Sequence, residues 1–153
     1  MNPTKIRLLF GRYPRLYQDM REPQMSSYYF SCGDGWFHLI DRLSADIEAL
    51  CDKFRLNEGL PERAFPVAYQ VGKAYYGLRF RVRTKDGDWG FCRIGDMIDS
   101  LIGIAQDESR YTCDLCGRCY HPSADRTGHE WHSPCAQCHG RAAGIITTSS
   151  PDT

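Results

Sequence analysis

The sequence lacks an excess of charge of either sign. Its 19 lysines and arginines balance 19 aspartates and glutamates, and the pI is near 6.9. Proteins that coat DNA, RNA or an anionic membrane through their overall charge carry a net positive charge. That mode of binding is therefore excluded, and a nucleic-acid contact would have to come from a local basic surface.

Long hydrophobic runs are also missing. The N-terminal segment has no apolar stretch of the length found in secretory signals, and no segment approaches the roughly 20 apolar residues of a transmembrane helix. We therefore expect a soluble, cytosolic protein with no membrane partner. The 153 residues, 42% of them hydrophobic, are enough for one folded core with a small appendix.

Catalytic motifs are absent as well. The segment His129-Glu130-Trp131-His132 is one residue short of the H-E-x-x-H metalloprotease motif. Pro134-Cys135-x2-Cys138 resembles half of a zinc deaminase signature, but the H-x-E half is not found upstream. No nucleophile–base pair or phosphate-binding loop appears, and we predict that the protein is not an enzyme.

Cysteine and histidine are scarce except between Cys113 and His139, which holds five of the eight cysteines and four of the five histidines. Without a secretory signal, such crowding is more typical of metal binding than of disulfides. Cys113-x2-Cys116 and Cys135-x2-Cys138 are separated by eighteen residues, within the range of tetrahedral zinc sites. We predict one Zn²⁺ held by these four thiolates. Four protein ligands leave no position for water, so its role is structural.

The ligand set has alternatives. Cys119 can take the place of Cys113 or stand as a free thiol, and His139 can take the place of Cys138. Cys113, Cys116 and Cys119 also match the start of an iron–sulfur motif, in which Ser123 stands where the local fourth cysteine belongs and Cys135 is the alternative fourth ligand. The other histidines are interpreted as ordinary loop residues: His121, His129 and His132. The scattered cysteines are interpreted as buried apolar side chains: Cys32, Cys51 and Cys92.

The first half of the chain contains one clear helix. Residues 1–33 are interrupted by three prolines, and they predict an extended arm or a short strand against the domain. Asp34 stands where a helix N-cap belongs, and apolar residues follow at spacings of three and four up to Phe54. The helix is expected to end near Gly59.

The second half predicts a small sheet and a second helix. Phe65–Val71 and Tyr75–Thr84 have strand character, and Trp89–Ile94 is a candidate third strand. A helix is predicted from Asp96 to Glu108. The fold class is therefore α+β: helix, two- or three-stranded antiparallel sheet, helix, and a C-terminal zinc knuckle with four cysteine ligands. The predicted organisation is an arm (1–33), a core (34–110), a zinc-binding module (111–143) and a tail (144–153).

An arginine-rich surface is predicted on the second strand. Leu78, Phe80 and Val82 alternate with three arginines, which places the guanidinium groups on one side of the sheet. We call these arginines the arginine face: Arg79, Arg81 and Arg83. Together with Tyr75 and Tyr76 they are candidate partner-binding residues. The surface suits an acidic protein, the phosphates and bases of a nucleic acid, or simply solvent.

Two segments resemble a known family. CGDGWFHLIDRLSADI (Cys32–Ile47) and GKAYYGLRFRV (Gly72–Val82) are similar to small, largely uncharacterised bacteriophage and prophage proteins. These carry a Cys-Gly-Asp-Gly-Trp turn opening a helix, a Lys-x-Lys-Phe-Gly-x-Leu-Arg-Phe strand, a second helix and a C-terminal cysteine knuckle. Here Ala74–Gly77 departs from the strand motif, and Cys135-x2-Cys138 stands where the family often has Cys-x2-His.

The resemblance implies a context more than a mechanism. It places the protein in the cytoplasm of an infected bacterium, where it would engage and inhibit a host protein or protein complex. A defence complex, in the manner of an anti-CRISPR protein, and a transcription complex are the expected targets. The alternative function is a nucleic-acid-binding zinc module.

Overall fold

The computed structural model of the chain describes residues 1–20, 30–74, 77–84, 93–118 and 138. Its helices are α1 (Pro3–Arg12), α2 (Phe37–Glu58) and α3 (Arg93–Arg110), and its strands are β1 (Phe30–Ser31), β2 (Val67–Ala74) and β3 (Gly77–Arg83). Short 3-10 turns occur at Gln18–Met20, Asp34–Trp36 and Glu62–Ala64. The predicted α+β class is confirmed.

The sheet is mixed rather than antiparallel throughout. Its order is β1-β2-β3, with β2 and β3 antiparallel and β1 parallel to β2, where Phe30 pairs with Val71. The third strand therefore precedes α2. In the candidate strand Trp89–Ile94, residues 89–92 lie outside the described residues, and Arg93 and Ile94 belong to α3. Ile94 is buried because it continues the helical spacing of Ile98 and the apolar residues beyond it.

The extended arm predicted for residues 1–33 is wrong over α1. The side chain of Asn2 caps the helix by accepting hydrogen bonds from the N–H groups of Thr4 and Lys5. Pro3 occupies the first turn, where a missing N–H costs nothing, so this proline starts a helix rather than breaking one. The alternative of a short strand is correct for Phe30–Ser31.

Helix α2 ends as predicted but begins differently. Gly59 terminates it in the left-handed conformation, at φ +68°. Asp34 does not cap α2, because a 3-10 turn intervenes before Phe37. The predicted apolar stripe is buried except for Leu50, which is half-buried: Trp36, Ile40, Leu43, Ile47, Cys51 and Phe54.

The segment after α1 belongs to the core. Leu16 and Tyr17 are fully buried. The Ala68 N–H donates to the Leu16 carbonyl oxygen at 2.7 Å, which joins the segment to β2. The Tyr17 hydroxyl lies 2.6 Å from Ser44 Oγ on α2. The N-terminal segment is thus packed between α2 and the sheet.

Helices α2 and α3 lie antiparallel. Arg42 near the start of α2 forms an ion pair with Glu108 near the end of α3, and Arg93 at the start of α3 lies 3.8 Å from Glu58 at the end of α2. The Leu78 N–H donates to Ser109 Oγ at 2.7 Å, which connects β3 to α3. Helix α3 begins three residues before the predicted Asp96, and it leads the chain directly to Cys113.

The tail (144–153) and most of the zinc-binding module (111–143) lie outside the described residues. The module is described at residues 111–118 and at Cys138. In the described ranges, no helix has both the length and the apolar character that a membrane span requires.

Candidate metal centre and arginine face

A tight turn follows α3 and presents the first cysteine pair. We call residues 113–118 the knuckle. The Gly117 N–H donates to the Cys113 carbonyl oxygen at 2.8 Å, and the Cys113 N–H donates to the Arg118 carbonyl oxygen at 3.0 Å. Gly117 has φ +74°, a conformation that glycine adopts without strain. The knuckle therefore forms from local backbone hydrogen bonds.

Three thiols meet beside this turn. The Sγ atoms of Cys113, Cys116 and Cys138 all lie within 4.8 Å of one another. Cys113 is buried, Cys138 half-buried and Cys116 exposed. In a tetrahedral site with Zn–S bonds of about 2.3 Å, the sulfurs lie about 3.8 Å apart. The three thiols can therefore hold one metal ion after a small adjustment.

The predicted fourth ligand, Cys135, lies outside the described residues, as do its alternatives Cys119 and His139. Cys32 and Cys51 are buried, as predicted. Burial raises the pKa of Cys32 to about 11 and that of Cys51 to about 12, so both remain protonated thiols at neutral pH. Cys92 also lies outside the described residues.

The knuckle packs against the segment that immediately precedes α2. We call residues 32–36 the glycine turn. The Gly35 N–H donates to the Asp114 carbonyl oxygen at 2.7 Å. The buried Trp36 donates from its indole Nε1 to the Thr112 carbonyl oxygen, also at 2.7 Å. Two hydrogen bonds thus join the beginning of α2 to the backbone around Cys113.

Neither glycine of this turn can carry a side chain. A Cβ on Gly33 would overlap the Asp114 carbonyl group. A Cβ on Gly35 would overlap the Cys113 carbonyl oxygen and the Gly117 nitrogen. The two backbones approach this closely only because both residues are glycine.

Sequence reasoning assigned the glycine turn to helix capping and missed its contact with the knuckle. Two glycines flanking Asp34 are a signal for close backbone approach. Their partner is not apparent from local sequence, because Trp36 and Thr112 are 76 residues apart.

Side-chain contacts stabilise both the knuckle and the glycine turn beside the place where the two meet. Lys73 on β2 lies 3.0 Å from the buried carboxylate of Asp114. On the other side, the Asp34 carboxylate accepts hydrogen bonds from the Asn2 N–H at 2.6 Å and the Asn2 side chain at 3.2 Å. Partial burial acts to raise the pKa of Asp34, but these hydrogen bonds and the charge of Lys5 outweigh it and hold the pKa below its ordinary value.

The alternation predicted for β3 is confirmed. Leu78 and Phe80 are buried, Arg79 is half-buried, and Arg81 and Arg83 are exposed. The three apolar and three charged positions lie on opposite sides of the strand because successive side chains alternate. The arginine face is thus fixed by the burial of its neighbours.

The arginines differ in their contacts. Arg83 lies 3.0 Å from the Asp19 carboxylate and packs over the ring of Tyr69. Among the residues that the structure describes, Arg79 and Arg81 form no ion pair. Both line a groove of about 460 Å³ between β3 and α3, together with Tyr69, Asp99, Gln106 and neighbouring apolar residues. The other two candidates, Tyr75 and Tyr76, lie outside the described residues.

Comparison of the chain with protein-family models, with curated proteins and with solved structures found no match. Function is therefore inferred from the cysteine cluster and the arginine face themselves.

Replacing either glycine of the turn with alanine is expected to destabilise the fold. Gly33→Ala and Gly35→Ala should each lower the free energy of unfolding by about 2 kcal/mol, because the added methyl group forces the knuckle backbone away. Gly11→Ala is the matched control, since a Cβ there meets nothing within 4 Å. Urea titration of the three variants measures the difference. Equal stability of all three would contradict a close backbone contact.

Proposed function

We propose that the chain is a zinc-stabilised binding protein without enzymatic activity, which engages an acidic surface of a host protein and inhibits it. The observation that carries this proposal is the convergence of three cysteine thiols on a knuckle whose backbone is docked on the domain. Such an arrangement suits a metal that stabilises a folded surface. The arginine face is the surface that it would keep in place.

The chemistry of the donors favours zinc. Thiolate-rich sets of this spacing select Zn²⁺ over the harder cations Mg²⁺ and Ca²⁺, which prefer oxygen. Cys113, Cys116 and Cys138 would bind the ion together with Cys135. A bound zinc would connect the knuckle to the segment around Cys138, and through the glycine turn to α2.

The partner is expected to be a protein rather than a nucleic acid. Arginine and tyrosine are enriched at protein interfaces, and Arg79, Arg81 and Tyr69 line one groove. Asp99 lines the same groove, and a carboxylate there would repel a phosphate backbone. The zero net charge of the chain also disfavours a polyanion. An acidic protein surface with some basic groups fits this mixture of charges.

The resemblance of the glycine turn and of β3 to bacteriophage and prophage proteins supplies the biological setting. We infer that the partner is a bacterial protein complex acting in defence or in transcription. Inhibition by occupation of a surface requires no catalytic residues, which agrees with the absence of catalytic motifs from the sequence.

Metal analysis of the purified protein tests the zinc centre. We expect one zinc per chain, and we expect Cys113→Ser, Cys116→Ser and Cys135→Ser to lose it. Cys51→Ala is the control, because Cys51 lies on α2 and is not one of the three clustered thiols. Cys119→Ser should retain the metal. Iron with visible absorption, or retention of zinc by Cys135→Ser with loss by Cys119→Ser, would contradict the proposed ligands.

Affinity capture from a bacterial host lysate tests the arginine face. The double variant Arg79→Glu/Arg81→Glu should lose a stoichiometric partner that the unchanged protein retains. Arg7→Glu is the matched control, since this exposed arginine lies on α1. If the double variant retains the partner as well as Arg7→Glu does, the arginine face is not the binding surface.

The same variants distinguish the nucleic-acid alternative. We expect no saturable binding to labelled DNA or RNA at low salt. Binding that falls steeply with salt and disappears in the double variant would replace the protein partner with a nucleic acid.

A further inference from the structure

Helix α3 carries a second apolar stripe beside the one that it buries. Met97, Leu101 and Ile104 follow one another at spacings of four and three, so they lie on one face of the helix. Met97 is 39% exposed and Ile104 is 64% exposed, whereas Leu101 is half-buried. An exposed apolar stripe on a helix is typical of a surface that another helix covers.

Met97 and Leu101 of this stripe line a groove of about 600 Å³ between α2 and α3. Helix α2 contributes Asp46, Ala49, Leu50 and Lys53, and α3 contributes Ser100 beside the stripe. The groove is therefore mainly apolar, with one acidic and one basic residue along α2. Small and large side chains alternate within it.

This face of α3 is complementary to the same face of a second α3 that runs in the opposite direction. Two copies of the helix can be placed antiparallel about the midpoint between residues 100 and 101. Each residue of one copy then faces a defined residue of the other. The resulting pairs join opposite charges, two apolar side chains, or a small and a large side chain: Arg93 with Glu108, Met97 with Ile104, and Ser100 with Leu101.

The face of α2 that lines the groove is also complementary to itself in an antiparallel pair. Antiparallel pairing about the midpoint between Ala49 and Leu50 places Asp46 opposite Lys53 of the other copy. It also places the small Ala49 opposite the larger Leu50. Opposite charges and complementary sizes thus recur on the second helix of the same surface.

The midpoints of α2 and α3 lie side by side, at the same height along the axes of the two helices. The ion pairs of Arg42 with Glu108 and of Arg93 with Glu58 align the two ends of α2 with those of α3. The midpoint between Arg42 and Glu58 falls at Leu50, and that between Arg93 and Glu108 falls between residues 100 and 101. One two-fold axis, perpendicular to the helices, therefore passes within about half a residue of both midpoints.

We propose that this face binds a second copy of the chain, with α2 against α2 and α3 against α3 about that two-fold axis. An isologous interface requires a surface that is complementary to itself, and this face meets that requirement in charge and in size. The partner is thus identified as another molecule of the same chain.

The ends of the proposed interface carry alternating charges. At each end, Arg42 and Glu108 of one copy meet Glu58 and Arg93 of the other. Exposed ion pairs add little affinity, but their alternation fixes the register and the antiparallel direction. The apolar area is small, so we expect a dissociation constant on the order of micromolar.

Sedimentation analysis of the full chain over a range of concentrations tests the proposal. The unchanged protein should form a dimer, and Ile104→Arg should weaken it about tenfold or more, because it places a charge opposite Met97 of the other copy within the apolar contact. Leu8→Arg is the control. Leu8 is an exposed leucine on α1, and α1 contacts α2 through Asp41, which lies on the side away from the groove.

Charge reversal provides the more specific test. Arg93→Glu and Glu108→Arg should each dimerise about tenfold more weakly than the unchanged protein, since each places like charges opposite one another at both ends of the dimer. A mixture of the two variants should form a heterodimer, because both of its Arg93–Glu108 contacts are again attractive. Within one helix these positions are about 22 Å apart, so an intramolecular effect cannot produce the rescue.

Three results would overturn the proposal. They are a monomer throughout the concentration range, a dimer that Ile104→Arg does not weaken, and charge-reversed variants that associate no more tightly when mixed than alone. Circular dichroism of each variant confirms that it is folded. Because Ile104 is an exposed position, Ile104→Arg keeps the proposal testable if a charge-reversed variant fails to fold.

Discussion

The Gly35 N–H donates a 2.7 Å hydrogen bond to the Asp114 carbonyl oxygen, and a methyl group on either Gly33 or Gly35 would prevent the contact. This close packing of two backbone segments joins the beginning of α2 to the end of α3. Trp36 completes it by filling the core beneath the turn while its indole N–H binds the Thr112 carbonyl oxygen. The position of the knuckle, and with it that of the clustered thiols, depends on this contact.

The contact gives the candidate metal a structural role beyond its own loop. Cys113 lies between two anchored residues, Thr112 and Asp114, so a metal bound to its thiol is connected to α2 through the glycine turn and to β2 through Lys73. Helix α3 is held at its C-terminal end by the same knuckle. Its exposed stripe and its side of the groove that Arg79 and Arg81 line are therefore positioned by the segment that carries the clustered thiols.

Local sequence predicted the features that depend on local physics. The alternation of β3, the termination of α2 at Gly59 and the pairing of Cys113 with Cys116 all follow from neighbouring residues. The start of α1 also depends on neighbouring residues, because Asn2 caps the helix and Pro3 fits its first turn, and the extended arm expected there is wrong. Two features depend on partners far along the chain and do not follow from local sequence. They are the parallel pairing of Phe30 with Val71 and the contact of the glycine turn with the knuckle, where Trp36 and Thr112 are 76 residues apart.

Amide hydrogen exchange at Gly35 tests the central claim most directly, because this N–H forms the backbone hydrogen bond to the knuckle. The Ala68 N–H, bonded to the Leu16 carbonyl oxygen in the core, is the internal reference. When the metal is removed with a chelator, we expect the protection of Gly35 to fall more than that of Ala68. If Gly35 keeps its full protection without metal, the metal does not hold the knuckle against the glycine turn, and the account is contradicted.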